Sequence, residues 1–455
     1  MLEVIILAAG QGSRMQSSLP KVLHTLAGQP LVAHVLQTAR QIMADSIHVV
    51  VGHGAEIVEA AVAAPDVQCH LQAEQRGTGH AVVQAIGACD PKSTVLVLFG
   101  DVPMISKAVL TDVVAASASG VAMLSAYLED PSGYGRVVRD RDGEFTAVVE
   151  EKDAAPEQLC LQEINTGVLA ANAERLAAWL GRVDNDNAQS EYYLPDVLRL
   201  AREDGVPVTV VCSDNEFNVQ GVNTTQQLEA LERQHQRVLA DELMTGGVVI
   251  ADRSRLDVRG HLQCGRDVSI DVNVIFEGDV ALGDGVSVGA NCIVRDAAIG
   301  AGAQILPFSH IEGAEVQAGA VIGPYARLRP GAVIGEQAKV GNFVEVKNAR
   351  LGFAAKANHL AYLGDADIGD HSNVGAGTIT CNYDGANKHR TTLGENVFVG
   401  SNSTLVAPLT IESGGFVAAG STVTSDVAPD QLAVARGRQR NINGWRRPTK
   451  SGDAD

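Results

Sequence analysis

The run Leu7-Ala8-Ala9-Gly10-Gln11-Gly12-Ser13-Arg14-Met15, with Pro20-Lys21 shortly after, sets glycines and two cations directly behind an apolar stretch. Glycines permit a tight turn whose exposed backbone N–H groups bind phosphate. Arg14 and Lys21 add fixed charge able to neutralise a leaving pyrophosphate. The pattern is not a Walker A loop, which needs GxxxxGK and a hydroxyl residue. Nor is it a Rossmann fingerprint, since the third glycine is missing. Phe99-Gly100-Asp101-Val102-Pro103 puts a carboxylate at the end of a second apolar run. Far downstream, Arg329, Lys347, His359, Tyr362, Asn373, Asn382 and Tyr383 gather polar types where the chain otherwise repeats small and aliphatic residues. A lone histidine in such a repeat is usually a surface or packing residue, but His359 sits among at least four other polar residues of matching type.

These residues need elements to hold them. Val4–Ala8, His48–Val51, Val67–Leu71 and Thr94–Phe99 are short apolar runs. They alternate with helical patterns at Leu31–Ala39, Ala55–Ala64 and Gly79–Ala88. That alternation implies βαβ units and a mostly parallel sheet covered on both faces. Ligands of such sheets bind beyond the carboxyl ends of the strands, where the glycine turn and Asp101 fall.

The second half has another period. An aliphatic or small apolar residue recurs every six positions at Val258, Cys264, Ile270, Phe276, Leu282, Val288 and Val294. The register slips, then resumes at Ile322, Leu328, Ile334, Val340 and Val346, and again from Leu363 to Val423. This is the hexapeptide pattern of a parallel β-helix, in which the apolar residue points inward and small residues turn the corners. At about 18 residues per coil, 258–428 makes roughly nine coils. Two stretches read as interruptions projecting from one face: Lys347–Tyr362 and Thr380–Thr392. Thr224–Met244 reads as a connecting helix ending before Gly246-Gly247. After it and the repeats comes a basic tail of Arg436, Arg438, Arg440, Arg446, Arg447 and Lys450, with no acid before Asp453.

With 455 residues the chain holds about two or three domains. Its 45% hydrophobic content supports packed cores and excludes a disordered polymer. The net charge of −19 argues against general nucleic-acid binding. Seven scattered cysteines without a CxxC pair indicate neither a disulfide framework nor a zinc ribbon, and a reducing cytoplasm fits them. No segment approaches the ~18 apolar residues of a membrane span.

The motif LAAGxGxRM followed by PK resembles the sugar-1-phosphate nucleotidyltransferases. Gln72-Ala73-Glu74-Gln75 with Gly77-Thr78-Gly79-His80 resembles the uridine-reading segment of that family, and Glu163–Gly167 and Gly221–Asn223 extend the match. With hexapeptide repeats behind it, the chain resembles over nearly its whole length the bifunctional N-acetylglucosamine-1-phosphate uridyltransferase/glucosamine-1-phosphate acetyltransferases. The resemblance implies an α/β chain with a Rossmann-like nucleotidyltransferase domain at 1–225, a helical linker at 226–246, and a left-handed parallel β-helix acetyltransferase domain with its basic tail at 247–455. It implies acetyl transfer to glucosamine 1-phosphate, then uridyl transfer from UTP to N-acetylglucosamine 1-phosphate, feeding peptidoglycan and lipopolysaccharide (lipid A) precursors.

For the uridyl site the resemblance implies that Leu7, Ala8, Ala9, Gly10, Lys21, Gln72, Gly77, Thr78, Phe99 and Gly100 bind UTP. Gly135, Glu150 and Asn165 would hold the sugar, Asp101 and Asn223 would hold Mg²⁺, and Arg14 and Lys21 would assist catalysis. For acetyl transfer it implies His359 as general base and Arg329, Lys347, Tyr362 and Asn373 on glucosamine 1-phosphate. Ala376, Asn382, Tyr383, Ser401, Ala419 and Arg436 would line the acetyl-CoA site, with Lys388 in the projecting loop near a phosphate. Departures from the family are Ser13, Phe99, Asn358, Ala361, and His389-Arg390 in place of an aromatic–Lys pair. The implied assembly is a cytoplasmic homotrimer acting on small molecules, without nucleic acid or membrane insertion. Three rivals stand beside it: a nucleotidyltransferase whose β-helix only oligomerises, a non-catalytic scaffold, and a β-helix with histidine-bound zinc.

Overall fold

The strand Leu2–Ala8 is apolar throughout, which only a sheet covered on two faces tolerates, and Val4 through Ala8 are all buried. The structure, a computed structural model, describes residues 1–448, so Lys450 and Asp453 lie outside the described residues. The chain divides into two units, Met1–Val238 and Leu239–Asp455.

In the first unit nine strands share one sheet: β1 (Leu2–Ala8), β2 (Ser46–Val51), β3 (Val67–Leu71), β4 (Thr94–Phe99), β5 (Val121–Tyr127), β6 (Arg136–Arg139), β7 (Phe145–Val149), β8 (Glu163–Asn172) and β9 (Val208–Ser213). The main row runs β9-β5-β8-β4-β1-β2-β3, and the hairpin β6–β7 hangs on β8. Only β8 opposes the direction of that row. Alternate residues of β1 face opposite layers. Val4, Ile6 and Ala8 meet α1 (Leu31–Gln41) through Val32 and Val35. Ile5 and Leu7 meet α2 (Thr78–Ile86) through Ala81 and Val82. The mostly parallel, doubly covered sheet expected from the alternating pattern is therefore present. The one antiparallel strand of its main row carries the Glu163–Gly167 segment.

A helix, α3 (Thr225–Thr245), contains the boundary between the units. Within the first unit Leu231 packs with Met15, Leu26, Leu31 and Val222. Within the second, Leu239 and Leu243 pack on the coil core.

The second unit is a stack of parallel strands. One sheet holds eleven short strands from Val249–Ile250 to Leu432–Ala433, nine of them within 258–428. Ser269 pairs with Ser287, Ser287 with Gln304 and Gln304 with Val321. Equivalent residues on neighbouring coils are mostly 17 or 18 apart, as Ser269 and Ser287 or Ser287 and Gln304 are, and 25 apart across the projecting segment, as Asn373 and Phe398 are. Such parallel sheets are those of a left-handed β-helix. The hexad residues Val258, Ile270, Phe276, Leu282, Val288 and Val294 are buried, while Cys264 is half-buried. The slips in register are real sides shortened by one residue, as from Val294 to Ile299 and from Leu363 to Ile368, all buried.

Two expectations change. Lys347–Tyr362 is not an interruption: Lys339 pairs with Lys356 and Glu345 with Tyr362, so the coil is continuous. Its inward residues are Leu351 and Ala357, and the short alanine hides the period. Thr380–Thr392 does project, closed by an antiparallel bridge between Tyr383 and Lys388. Nor are all corners small. Phe308, Tyr325, Phe343 and Leu360 take left-handed backbone at φ +62°, +56°, +56° and +50°. That conformation costs about 1–2 kcal/mol per residue. Stacking of the first three rings, at centroid separations of 4.9 and 5.3 Å, offsets part of it.

Candidate active sites

The turn after β1 is shaped by Gly12, whose φ of +62° is left-handed and whose missing side chain admits Lys21; a Cβ there would lie 2.7 Å from that of Lys21. The Lys21 ammonium forms an ion pair with Asp101 Oδ2, both side chains being about 15% exposed. It also donates to Asn223 Oδ1 at 3.0 Å, and Arg14 Nη2 donates to the same oxygen at 2.9 Å. Residues from the ends of β1 and β4 and from the loop before α3 thus converge on one point. One carboxylate and one amide oxygen meet there around a cation, here the lysine ammonium. Hard oxygen donors of this kind fit Mg²⁺, which takes few protein ligands and completes its shell with water and phosphate.

Two cavities of about 220 and 210 Å³ share Thr78, Phe99 and Asp101. Leu7, Ala8, Ala9, Gly10, Lys21, Gln72 and Gly77 line the first. Gly135, Glu150, Asn165 and Asn223 line the second. Gly100 lines neither; its N–H donates to the Leu7 carbonyl at 2.9 Å and joins the ends of β4 and β1. Arg14 reaches the site only through Asn223. Gln72 is buried, and its Nε2 donates to the Gly77 carbonyl at 3.2 Å and lies 3.0 Å from His80 Nδ1. Its amide oxygen is therefore the atom left to accept. Burial raises the Glu150 carboxyl above its ordinary value, and the nearby Asp153, Asp196 and Glu191 raise it further.

Sequence reasoning missed Tyr134 and the segment Glu191–Pro195. The Tyr134 hydroxyl accepts the Gly221 N–H at 3.4 Å. Leu194 N–H donates to Thr78 Oγ1 at 3.0 Å, and Gly79 N–H to the Tyr192 carbonyl at 2.8 Å. Gly77, at φ +107°, allows this approach, since a Cβ there would stand 2.6 Å from that carbonyl. The paired tyrosines followed by Pro195, after the polar run Asp184–Asn187, were the available signal.

In the second unit the stacking of coils builds the site. His359 stacks on Asn342, and its Nδ1 lies 2.6 Å from Asn342 Oδ1. An amide oxygen can only accept, so Nδ1 carries a proton, and in the neutral ring Nε2 is the nitrogen with the lone pair. Above this pair the same corner carries Ala376, Ser401 and Ala419, linked coil to coil through Gly377, Asn402 and Gly420 N–H groups. Arg436 Nη1 donates to the Ala419 carbonyl at 2.6 Å. Lys347 stacks on Gly364 and Glu345 on Tyr362, while Arg329 Nη1 is held by Glu345 at 2.8 Å. Asn373 lies between Lys356 and Phe398 on its sheet.

Asn382 is buried, and its amide and that of Asn348 donate to Asp365. Burial pushes that carboxyl up, but these hydrogen bonds outweigh it and hold it below the usual aspartate range. Tyr383 is exposed. The departures find local partners: His389 Nε2 lies 2.8 Å from Asp384 Oδ2, and Arg390 pairs with Asp367. Ala361 is buried, and Asn358 Oδ1 is buried without a hydrogen-bond partner.

A doubly covered α/β sheet with a phosphate turn and oxygen ligands at its strand ends, followed by a hexapeptide β-helix bearing an open histidine, defines a nucleotidyltransferase joined to a second transferase. The family model of the MobA-like NTP transferase domain matches residues 4–183. The "Bifunctional protein GlmU" of Paraburkholderia xenovorans (strain LB400) is 56% identical over 452 residues, covering 99% of each chain. That of Burkholderia mallei (strain SAVP1) is 57% identical over 450 residues with the same coverage. A solved structure from Bacillus anthracis, provisionally described as a glucose-1-phosphate thymidylyltransferase and in complex with sucrose, is similar at 16% identity. It covers 51% of this chain and 94% of its own, with a TM-score of 0.42. The chain belongs to the bifunctional GlmU family. It is a uridyltransferase and glucosamine-1-phosphate acetyltransferase of UDP-N-acetylglucosamine synthesis. No helix among the described residues is long and apolar enough to cross a membrane.

Proposed function

We propose that the paired cavities of the first unit take UTP and N-acetylglucosamine 1-phosphate, and that the coil corner around His359 takes glucosamine 1-phosphate and acetyl-CoA. The observation that carries the first assignment is the meeting of Asp101, Asn223, Lys21 and Arg14 where the two cavities join. Backbone N–H groups of the glycine turn hold the nucleotide phosphates. The Gln72 amide oxygen accepts the uracil N3–H, a choice favoured by the internal engagement of its Nε2. Glu150 and Asn165 orient the sugar. A phosphate oxygen of the sugar 1-phosphate attacks the α-phosphorus, the bond to the bridging oxygen breaks, and pyrophosphate leaves. Lys21 and Arg14 neutralise charge on the phosphates. Asp101 and Asn223 would hold Mg²⁺, which when bound supplies Lewis-acid stabilisation of the phosphates.

At the second site Arg329 and Lys347 hold the sugar phosphate, and Tyr362 and Asn373 place the ring. His359 Nε2 takes a proton from the sugar amine as its nitrogen attacks the thioester carbon. The carbon–sulfur bond then breaks, and the CoA thiol leaves after protonation. The stacked small residues Ala376, Ser401 and Ala419 give the pantetheine arm a flat path, and Arg436 meets a CoA phosphate. Asn382 and Tyr383 border that path. We place the enzyme in the cytoplasm as a homotrimer, a neighbouring β-helix completing each acetyltransferase site. The exposure of His359 and the seven free cysteines support this. The product serves cell-wall and lipid A precursor synthesis. A coupled assay with glucosamine 1-phosphate, acetyl-CoA, UTP and Mg²⁺ tests the assignment. UDP-N-acetylglucosamine and free CoA are expected, and CoA release without glucosamine 1-phosphate would refute it. Light scattering showing a fully active monomer would refute the trimer.

A further inference from the structure

At the end of the first unit's sheet away from the nucleotide cavities, three electron-pair donors of different kinds face one another. Glu3 and His48 stand on the neighbouring strands β1 and β2, and Cys89 follows helix α2. Glu3 is 5% exposed, His48 2% and Cys89 7%. A carboxylate oxygen, a ring nitrogen and the sulfur all lie within 4.8 Å of one another, with His48 Nε2 3.7 Å from Glu3 Oε2.

Each donor is turned to this point by a partner behind it. The Asp90 N–H donates to Glu3 Oε1 at 3.2 Å, while Oε2 is buried without a hydrogen-bond partner. His48 Nδ1 lies 3.0 Å from His70 Nε2. With the Nδ1 proton donated to His70, the Nε2 lone pair points at Glu3 and Cys89. Such outer partners are what fix a ligating histidine in one tautomer. Cys89 Sγ lies 3.9 Å from the Ala85 carbonyl and also meets the Glu3 carboxylate. Ser46 Oγ stands 3.5 Å from His48 Nε2 at the rim. Convergent lone pairs in a dry interior are costly unless a cation lies between them.

We propose that Glu3 Oε2, His48 Nε2 and Cys89 Sγ form a structural zinc site, with Ser46 Oγ or a water as the fourth ligand. Mixed oxygen, nitrogen and sulfur donors suit Zn²⁺ and are refused by Mg²⁺ and Ca²⁺. On binding, the Cys89 thiol releases its proton to solvent, and thiolate and carboxylate together balance the two positive charges. The ion ties β1 and β2 to the end of α2, the helix whose first turn carries Thr78 of the nucleotide cavity.

The test uses the full chain, produced without a metal-binding tag, equilibrated with Zn²⁺ and dialysed. Metal analysis should find about one tightly held zinc per chain, falling to about a tenth or less in Cys89→Ser and His48→Gln. Loading with Co²⁺ instead should give a thiolate-to-cobalt charge-transfer band and tetrahedral d–d bands. Both should vanish in Cys89→Ser, whose circular dichroism reports whether it stays folded. Ions at the oxygen ligands Asp101 and Asn223 give no thiolate band, so the two sites are distinguished. Uridyl transfer by Cys89→Ser should stay within about twofold, since no ligand touches the nucleotide cavities. Folded wild-type protein that shows neither retained zinc nor a thiolate band overturns the proposal. Retention of the band by folded Cys89→Ser overturns it too, because another cysteine would then hold the metal.

Discussion

The two units gather their functional residues in opposite ways. In the first, Gly10, Lys21, Gln72, Asp101 and Asn223 come from segments scattered over the unit and meet because parallel strands end at one edge, where Asn165 of the antiparallel β8 joins them. In the second, Asn342, His359, Ala376, Ser401 and Ala419 meet because each lies one coil above the last. A sheet collects distant residues at an edge, whereas a solenoid collects near ones in a column. The sites therefore depend on different packing, and each substitution below should act in one unit and spare the other.

The largest effect is expected at His359. His359→Ala removes the imidazole that stands on Asn342, and general-base loss costs about 10²–10⁴ in rate. Acetyl transfer should fall by that factor in a CoA-release assay while uridyl transfer holds. Equal loss of both activities in a folded variant would break the comparison. Next stands Asp101→Asn, which removes the negative charge facing Lys21. Loss of one electrostatic stabiliser of a transferring group costs about 10²–10³. Pyrophosphate release should show it, with acetyl transfer intact.

How far the sequence could foretell this differs between the units for a physical reason. LAAGQGSRM and FGDVP are legible because a strand and the loop after it are contiguous in sequence. Tyr134 and Glu191–Pro195 were not, because they reach the cavity only through tertiary folding around β8 and Gly77. The hexads were legible because most inward positions carry aliphatic side chains, Thr380 being a buried exception. Ala357 and the five-residue sides blurred the count, which made a regular coil look like an insertion. Glu3, His48 and Cys89 left no local pattern at all, being three residue types on separate buried elements.

Acid should separate the units as well. Glu163, buried on β8, takes two hydrogen bonds of 2.7 Å from Arg139 and one of 2.8 Å from Ser125. Burial pushes its carboxyl up, but these bonds outweigh it, so its folded pKa lies below the ordinary 4.5. A group shifted down stabilises the fold above its unfolded pKa, and that contribution is lost as pH falls through the folded value. The first unit should lose stability on acidification from about pH 5 downward. Glu163→Gln should flatten that part of the profile. Fluorescence of Trp179, which is 2% exposed, follows this unit during unfolding. An unchanged pH slope in Glu163→Gln would remove Glu163 from the account. Asp365 is shifted down from a lower starting value, 3.8, so its contribution in the coils should persist to lower pH.

The smallest expected effect is at the end of the described chain. Arg436 is exposed and anchored by its hydrogen bond to the Ala419 carbonyl, which fixes a cation at the top of the corner column above His359. The neighbouring Arg438 and Arg440 are also exposed, so charge alone does not single out Arg436; its tether does. An exposed charge contact is worth up to about 1 kcal/mol, or about fivefold in affinity. Arg436→Ala should therefore raise the acetyl-CoA KM by up to about fivefold. It should leave the acetyl-transfer kcat and all uridyl-transfer constants unchanged, and the KM shift should shrink in high salt as screening grows. Arg438→Ala, lacking an equivalent tether, should shift KM less. Equal shifts from both variants would show that the tail acts by general charge, and no shift from either would leave it a solvated segment.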